Sequence, residues 1–186
     1  MSVKTAAALG FFDGVHRGHI KVCSLAREFA LRTGVTTTAV TFDEHPATVV
    51  TGKNIPQLCT AYDRERLLKT AAGMDNVIML PFRELMNMEP EDFIRNVLHE
   101  KLNVCFISCG SDYHFGKGGK GDINTLKNCC DELGIKFEVA HEIDDVHGKI
   151  SSSRIRQLIL DGDMEEAEKM LSRPYSFSGE VIHGKA

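Results

Sequence analysis

The stretch Leu9-Gly10-Phe11-Phe12-Asp13-Gly14-Val15-His16-Arg17-Gly18-His19-Ile20 decides the fold of this chain. Before it, Val3 to Leu9 is a short run of β-branched and small apolar residues, and after it Ile20 to Leu31 has apolar positions at helical spacing. These patterns predict a strand, a tight turn and the start of a helix. A strand followed directly by a helix is typical of α/β proteins.

The glycines and histidines of this turn suggest a phosphate site. Gly10 and Gly14 permit backbone angles that a side chain forbids, and Gly18 lets a ligand approach the first helical turn, whose free N–H groups favour a phosphate. His16 and His19 flank that helix end and put hydrogen-bond donors beside the phosphate. Such turns are common in α/β proteins, and such histidines are often plain surface residues, so the turn alone leaves the function open.

The spacing of the two histidines resembles the signature of the HxGH nucleotidyltransferase superfamily. The longer string GFFDGVHRGH resembles the FAD synthetase (FMN adenylyltransferase) module of prokaryotic bifunctional riboflavin kinase/FAD synthetases. The resemblance implies that His16 and His19 are catalytic. It also implies an ATP site that includes Gly10, Phe11, Asp13, Gly14, His16, Gly18 and His19.

Length and composition limit the alternatives. The 186 residues fit one domain of ordinary size, with 42% hydrophobic and 26% charged residues. The formal net charge of -4 gives no basic surface for nucleic acid, and no apolar run is long enough to span a membrane. No apolar signal segment follows Met1, so we expect a cytoplasmic protein without nucleic-acid or membrane partners.

The six cysteines lack the spacing of a metal site. No CxxC pair exists, and zinc sites need such pairs or a comparable cluster. We therefore expect the cysteines to be reduced and to pack in the core as small apolar residues.

A second candidate loop follows the next strand. Val35 to Phe42 is rich in β-branched residues and predicts a strand that ends in Asp43-Glu44-His45-Pro46. Polar turns at the carboxyl ends of parallel strands are where ligands bind in α/β sheets. The string TFDEHP resembles the family's TFxPHP loop, with Glu44 in place of a proline, and this implies that Phe42, His45 and Pro46 contact FMN.

The remaining pattern continues the alternation of strands and helices. We expect a long loop over residues 48–60, a helix capped by Asp63 that runs to about Ala72, and a helix beginning at Pro90 with Phe93, Ile94, Val97, Leu98 and Leu102 buried. Further predicted elements are strands at Asn76–Leu80, Val104–Ser108 and Lys136–Val139, a helix between Asp122 and Gly134, a polar turn at Ile143–Gly148 and a last helix, Met164–Leu171, capped by Asp163.

A glycine-rich loop runs from Gly110 to Gly121. From its residues alone it is a weak phosphate or ribose site, because glycine-rich loops are also frequent linkers. Its first part, GSDYHFG, resembles the family's GxDFxFG, which implies that Gly110 and Asp112 contact ATP and that Asp112 and Phe115 contact FMN. His114 and Gly119 stand where arginines are common, which removes two cations from a site for anions.

The string Ile150-Ser151-Ser152-Ser153-Arg154-Ile155-Arg156 begins another helix. One serine is explained as a helix cap, but Arg156 opposes the helix dipole unless an anion lies nearby. The string resembles ISSTxIR, the second phosphate motif of the superfamily. This implies that Ser151, Ser152, Ser153 and Arg156 bind ATP and that Arg156 is also catalytic.

The end of the chain resembles a linker. Arg173-Pro174-Tyr175, Gly179 and His183-Gly184 resemble the family's RPYxxxGxVxxG segment, which leads into a riboflavin kinase domain. We therefore predict an adenylyltransferase domain over residues 1–175 and a linker-like tail over 176–186. A kinase domain or a separate partner would supply FMN.

Together the pattern predicts a Rossmann-like, doubly wound α/β fold with a mostly parallel sheet of about five strands. The four motifs imply an FMN adenylyltransferase that makes FAD and pyrophosphate from FMN and ATP, with Mg²⁺ accompanying ATP. The metal ligands stay open, since Asp13 or Asp112 could position either ribose or metal. Two alternatives remain: a nucleotidyltransferase that makes a coenzyme A precursor or NAD, and a non-catalytic nucleotide- or flavin-binding module.

Overall fold

The computed structural model describes residues 3–179. Residues 1–2 and 180–186 lie outside this range, so most of the predicted linker, including His183 and Gly184, lies outside the described residues. The proposed division at residue 175 therefore stays a prediction.

A five-stranded sheet forms the centre of the protein, and all its neighbouring strands are parallel. The spatial order is β3-β2-β1-β4-β5. The strands are β1 (Thr5–Leu9), β2 (Thr36–Phe42), β3 (Asn76–Leu80), β4 (Val104–Gly110) and β5 (Lys136–Ala140). The predicted doubly wound α/β fold is confirmed.

The helices connect these strands and follow the last one. They are α1 (Arg17–Thr33), α2 (Pro46–Thr51), α3 (Ala61–Thr70), α4 (Phe82–Leu85), α5 (Pro90–Asp92), α6 (Ile123–Leu133), α7 (Ser152–Asp161) and α8 (Met164–Leu171). A π-helical segment, Phe93–Lys101, continues α5, and a short 3₁₀ turn spans Lys117–Gly119. A small antiparallel hairpin pairs β6 (Asp144–Asp145) with β7 (Gly148–Lys149).

Apolar residues cover both faces of the sheet because helices pack on each side. Ala6 and Ala8 of β1 face a cluster that includes Ala26 of α1 and Leu68 of α3. Ala7 faces the opposite cluster, which includes Phe93, Ile94, Leu98 and Leu126. The strict alternation along β1 follows from the two-residue period of a strand, and a third cluster joins α7 and α8.

Several element boundaries differ from the prediction. Thr60, and not Asp63, caps α3, because its hydroxyl accepts the Asp63 N–H at 3.1 Å. The predicted loop over 48–60 begins as helix α2, whose six residues are too few to show a helical period. The predicted polar turn at 143–148 is the β6–β7 hairpin, whose two-residue strands carry no apolar alternation. Helix α4 was missed for the same reason as α2.

All six cysteines are free thiols, and five of them are buried. Burial raises the pKa of Cys23, Cys109 and Cys130 to about 12 each and that of Cys59 to about 11. These thiols are therefore protonated at neutral pH and pack as small core residues. Among residues 3–179, no helix is long and apolar enough to cross a membrane.

The order of the strands determines where a ligand can bind. The chain moves from β1 to β2 and β3 on one side and then returns to β4 and β5 on the other. The carboxyl ends of β1 and β4 therefore flank the point where the direction of winding reverses, which is where open α/β sheets bind ligands. Gly10 follows the first of these strand ends and Gly110 forms the second.

Candidate active site

The turn between β1 and α1 has a strained backbone. Phe12 has φ 60° and Val15 has φ 43°, and both side chains are buried. Side chains avoid this region of φ, and a β-branched residue there is a genuine outlier that costs about 1–3 kcal/mol. Gly14 has φ 77°, as expected, but Gly10 does not have a positive φ. The reason for a glycine at position 10 is space, because a Cβ there would lie 2.8 Å from the Phe12 ring.

Asp13 ties this turn to the segment that precedes α3. Its buried carboxylate accepts the backbone N–H of Leu58 at 2.8 Å and that of Cys59 at 3.4 Å. The Gly14 N–H donates to Cys59 Sγ at 3.2 Å, and the Ser152 hydroxyl donates to the Asp13 carbonyl at 2.9 Å. The turn is therefore held by hydrogen bonds from two distant segments, which keep its strained conformation in place.

His16 and His19 stack on each other at the start of α1. Their ring centroids lie 3.6 Å apart, and the Phe12 ring packs edge-on against His19 at 5.3 Å. His16 caps the helix, since its Nδ1 accepts the His19 backbone N–H at 3.4 Å. A Cβ on Gly18 would lie 3.0 Å from the His16 ring, so Gly18 leaves room for this stack.

Both imidazoles are neutral at physiological pH. Burial, and then the positive charge of Arg173, lowers the pKa of His16 to about 4. Burial lowers the pKa of His19 well below its usual value, and the neighbouring His16 and Arg173 lower it further. Because the Nδ1 of His16 accepts a hydrogen bond, the proton of this neutral ring is assigned to Nε2, which leaves one N–H donor for a ligand.

A polar cleft of about 200 Å³ lies beside the two histidines. Its walls come from the start of α1, the end of β4, the segment after β5 and the start of α7. The predicted ATP-binding residues that line this polar cleft are His16, Gly18, His19, Gly110, Asp112, Ser151 and Ser152. The structure thus brings residues from three separate motifs to one site.

The other predicted ATP-binding residues do not line the polar cleft. They are Gly10, Phe11, Asp13, Gly14, Ser153 and Arg156. Most of them belong to the turn or support it, as Asp13 does through its backbone partners. Their predicted contact with ATP stays a prediction.

Lys149 was missed by the sequence analysis, although it lines the polar cleft. Its ammonium bridges the carboxylates of Asp112 at 2.8 Å and Glu142 at 2.7 Å. Hydrogen bonds from Lys149 lower the pKa of both carboxylates, and the two acids raise the pKa of Lys149. A cation immediately before the ISSSRIR string was the available signal. Asp112 therefore lies in the cleft as part of an ion-pair network.

The three serines at the start of α7 have three different partners. Ser151 caps the helix by accepting the Arg154 N–H at 3.3 Å, as one serine was predicted to do. Ser152 donates to the carbonyl of Asp13 and so joins α7 to the turn. Ser153 accepts from Arg156 Nη1 at 3.3 Å. Two of the hydroxyls, those of Ser151 and Ser152, belong to residues at the polar cleft.

The anion that compensates Arg156 is part of the protein. Its Nη2 lies 3.4 Å from Asp13 Oδ2, so a carboxylate offsets the unfavourable position of a cation at a helix start. Its Nε is buried and has no hydrogen-bond partner among the described residues. Arg156 therefore keeps an unused donor beside the turn.

A second cavity, the apolar pocket, has a volume of about 510 Å³. Phe42, Pro46 and Phe115, three of the predicted FMN-binding residues, line it. Helix α2, helix α4 with the two residues after it, the first residue of the π-helical segment and the glycine-rich loop supply the rest of the wall. These residues are Ala47, Val50, Thr51, Phe82, Leu85, Met86, Asn87, Phe93, His114, Gly116, Gly118 and Gly119. A large apolar pocket with few polar groups suits an aromatic ring system.

Two predicted FMN-binding residues lie elsewhere. Asp112 lines the polar cleft, and its loop connects the two cavities through His114, whose Nδ1 lies 2.9 Å from the Asp112 carbonyl oxygen. His45 caps α2 by accepting the Ala47 N–H at 3.2 Å, and its ring packs against Phe11 at 4.6 Å. His45 therefore supports the wall of the apolar pocket from outside.

Glu44, which replaces the family's proline, forms a bidentate ion pair. Its carboxylate accepts from Arg83 Nε at 2.7 Å and from Arg83 Nη2 at 2.9 Å. Arg83 lies in α4 beside Phe82, and Glu44 lies two residues before Pro46, so the pair joins two walls of the apolar pocket. Rigidity that a proline would give the loop is replaced here by a side-chain contact.

Arg64 is a further residue that the sequence analysis missed. This fully buried guanidinium donates to the Phe42 carbonyl at 2.6 Å and lies 4.2 Å from the centroid of the Phe11 ring. Its Nε and Nη1 have no hydrogen-bond partner among the described residues. Arg64 therefore links Phe11 of the turn to the end of β2.

A parallel sheet with a histidine-capped helix and a polar cleft at its switch point defines a nucleotidyltransferase-like α/β protein. The family model for FAD synthetase matches residues 2–154. The chain belongs to the FAD synthetase family.

Individual relatives agree with this assignment. The bifunctional riboflavin kinase/FMN adenylyltransferase of Listeria monocytogenes is 36% identical over 98% of this chain and 58% of its own length. Proteins of the same name from Buchnera aphidicola (subsp. Schizaphis graminum) and Bacillus subtilis are 34% and 35% identical over 97% of this chain. The chain spans only 58% and 57%, respectively, of the length of these two relatives.

A similar fold occurs in the crystal structure of a macrolide-efflux protein from Streptococcus pneumoniae. Its TM-score is 0.86 at 30% identity, and the match covers 100% of this chain and 62% of the other. The name describes the Streptococcus protein alone.

Proposed function

We propose that this chain transfers AMP from ATP to FMN and so makes FAD and pyrophosphate. The observation that carries the proposal is the position of the His16–His19 stack at the start of α1, where both rings line the polar cleft. The apolar pocket lies at the same edge of the sheet, and the loop from Asp112 to Phe115 contributes to both cavities. Membership of the FAD synthetase family supports the same activity.

The reaction needs alignment of two anions and no nucleophilic side chain. A phosphate oxygen of FMN attacks the α-phosphorus of ATP, a new P–O bond forms, and the bond to the β-phosphate breaks to release pyrophosphate. The protein must bring the two phosphates into line and stabilise the charge that develops between them.

The proposed roles follow from hydrogen-bonding capacity. Neutral His16 donates through Nε2, and His19 lies stacked on it, so both rings would contact the α-phosphate and the leaving oxygen. The free N–H groups at the start of α1 support the same anion.

Ser151 accepts the Arg154 N–H and so keeps its own hydroxyl proton to donate to the β- and γ-phosphates. Ser152 donates its hydroxyl proton to the Asp13 carbonyl, so it would contribute its backbone N–H at the start of α7. Arg156 does not line the cleft, so its proposed contact with these phosphates requires its side chain to move when ATP binds.

The apolar pocket is the proposed flavin site. The isoalloxazine ring of FMN would lie between Pro46, Phe82 and Phe115. The FMN phosphate would then point toward the polar cleft, to which the loop from Asp112 to Phe115 connects the pocket. This arrangement favours FMN over the acceptors of nucleotidyltransferases that make a coenzyme A precursor or NAD.

Mg²⁺ is proposed only as the ion that accompanies ATP. Among residues 3–179, no group of three His, Cys, Asp or Glu side chains could hold a metal ion. Mg²⁺ commonly binds through substrate phosphates, water and one or two carboxylates, so it does not need a cage built by the protein. No step above is assigned to the ion.

The supply of FMN is a separate part of the proposal. The relatives are named as bifunctional riboflavin kinase/FMN adenylyltransferases, and this chain spans 58% of their length. We propose that a riboflavin kinase domain or partner supplies FMN, and that residues 176–186 act as the linker to it. The proposed location is the cytoplasm.

The direct test is to incubate the purified chain with ATP, Mg²⁺ and FMN and to separate the flavins by chromatography. We expect FAD and an equal amount of pyrophosphate, and no FAD when riboflavin replaces FMN. Nicotinamide mononucleotide and phosphopantetheine serve as competing acceptors. Turnover of either one without FAD formation would contradict the proposal.

A further inference from the structure

Arg173 binds the backbone of the strained turn from a distance of more than 150 residues along the chain. It follows α8, and its Nη1 donates to the carbonyl of Val15 at 2.9 Å and to that of Leu171 at 3.0 Å. Its Nη2 donates to the carbonyl of Gly14. One guanidinium therefore binds two successive carbonyls immediately before His16.

These two carbonyls belong to the strained part of the turn. Val15, a β-branched residue, has φ 43°, whereas Gly14 adopts its φ of 77° without strain and precedes Val15 directly. A strained backbone persists only where the surrounding structure holds it in place. The planar fork of an arginine can bind two carbonyls in a fixed geometry, which the point charge of a lysine cannot reproduce.

We propose that Arg173 is a positioning residue of the adenylyl-transfer site, which holds the carbonyls of Gly14 and Val15 and so fixes the rings of His16 and His19 at the polar cleft. This inference rests on the proposed function. Arg173 does not line the polar cleft, so its role is to position the histidines and not to contact the substrate.

The charge of Arg173 gives the site a second property. Burial is the largest cause that lowers the pKa of His16, and the charge of Arg173 is the second largest. The same charge also lowers the pKa of His19. The other charged groups that act on His16 are Asp112, which raises its pKa, and Lys149, which lowers it. Arg173 therefore helps to keep the stacked imidazoles neutral.

The segment after Arg173 is attached at a second point. The Ser178 hydroxyl donates to Asp63 Oδ1 at 2.8 Å, and Asp63 lies in the first turn of α3. Between these attachments, Tyr175 and Phe177 line a cavity shared with residues 57–61, the segment whose backbone binds Asp13. The start of the predicted linker is thus part of the structure that supports the turn.

The first test compares steady-state kinetics of wild type, Arg173→Gln and Arg173→Lys. We expect Arg173→Gln to lower kcat about a hundredfold while the KM for ATP and for FMN changes little, because misplaced catalytic groups slow the reaction without removing substrate contacts. Arg173→Lys keeps the charge and should lose about tenfold. Arg95→Gln, which removes an exposed arginine paired with Glu132, is the matched control and should keep the wild-type kcat.

The second test needs no activity. In an NMR titration, the pKa of His16 should rise in Arg173→Gln and stay close to the wild-type value in Arg173→Lys. The Gly14 and Val15 amide signals should shift in both variants. If wild type makes no FAD, the proposed function fails, and this titration still decides on Arg173.

Three results would overturn the inference. They are a wild-type kcat in Arg173→Gln, a change in KM alone, and an unchanged pKa of His16 together with unchanged Gly14 and Val15 signals. If Arg173→Gln does not fold, Arg173→Lys decides by itself, and a wild-type kcat in that variant would overturn the inference.

Discussion

The polar cleft and the apolar pocket lie at the same edge of the sheet but are held together differently. Beside the cleft, buried or half-buried groups bind the turn: Asp13 from within it, Ser152 from α7 and Arg173 from the tail. The apolar pocket is closed by short helices, and one of its supports, the Glu44–Arg83 pair, is exposed to solvent.

This difference follows from the chemistry proposed for each side. Phosphate transfer needs donors fixed to a fraction of an ångström, and buried hydrogen bonds provide that rigidity. Binding of an aromatic ring needs mainly apolar area, which tolerates variation in the surrounding side chains. We therefore expect substitutions near the cleft to have large effects on rate and those near the pocket to have smaller effects on affinity.

The largest effect is expected for His19→Ala. Loss of one donor matched to the transition state typically costs ~3 kcal/mol, so kcat should fall about a hundredfold or more while ATP affinity changes little. Stopped-assay rates and calorimetric ATP titrations measure the two quantities. His147→Ala, which changes an exposed histidine in the β6–β7 turn, is the control. Unchanged turnover with weakened binding would make His19 a ground-state contact only.

The second prediction concerns stability and pH. The pKa of His16 falls from 6.5 to about 4 on folding. As the pH drops, His16 is therefore protonated at a higher pH in the unfolded chain than in the folded protein. Stability from the neutral ring is present above pH 6.5 and is lost between 6.5 and about 4, up to about 3 kcal/mol. Urea unfolding at a series of pH values should show this loss of unfolding free energy in wild type and not in His16→Gln. Parallel pH curves for the two proteins would refute the assignment.

Arg156→Ala comes next. We expect ATP affinity to fall about tenfold while FMN affinity is kept, and Arg156→Lys to recover only part of the loss. Stability should also fall, because Asp13 loses its cation, whereas removal of an uncompensated cation at a helix start would raise stability by ~0.5 kcal/mol. Calorimetry and thermal unfolding measure both effects. Equal ATP affinity in wild type and Arg156→Ala would remove this residue from the phosphate site.

The smallest effect is expected at the Glu44–Arg83 pair. Glu44→Gln should weaken FMN binding about twofold at low salt and less at high salt, since exposed ion pairs contribute only ~0.5 kcal/mol. The exchanged pair Glu44→Arg with Arg83→Glu should restore binding, and Glu132→Gln is the control for an unrelated surface pair. Failure of the exchange to restore affinity would mean that the pair does not support the pocket.

The parts of the site that could be predicted are those that lie close together in the sequence. The strand, turn and helix from Thr5 to Thr33 follow from apolar periodicity and glycine spacing. Three of the four motifs placed His16, Asp112 and Ser152 together, because each follows a strand or begins a helix at the same edge of the sheet.

The remaining parts depend on contacts between distant segments. Asp13 was assigned to ATP by its place in a motif, but its carboxylate binds backbone amides 45 and 46 residues away. Arg173 and Arg64 carry no local pattern that reveals their targets, which are carbonyl groups in other loops. Every residue has a backbone carbonyl, whatever its side chain. The sequence therefore does not show which carbonyl a distant arginine binds, and no spacing rule could have found these contacts.

The central proposal is that ATP binds in the polar cleft and FMN in the apolar pocket. Calorimetric titration of two variants that fill one cavity each tests it: Ser111→Trp at the polar cleft and Ala47→Trp in the apolar pocket. We expect Ser111→Trp to lose ATP affinity at least about tenfold and keep FMN affinity, and Ala47→Trp to do the reverse. Loss of FMN binding in Ser111→Trp with normal ATP binding would contradict the assignment. Loss of ATP binding in Ala47→Trp with normal FMN binding would contradict it as well.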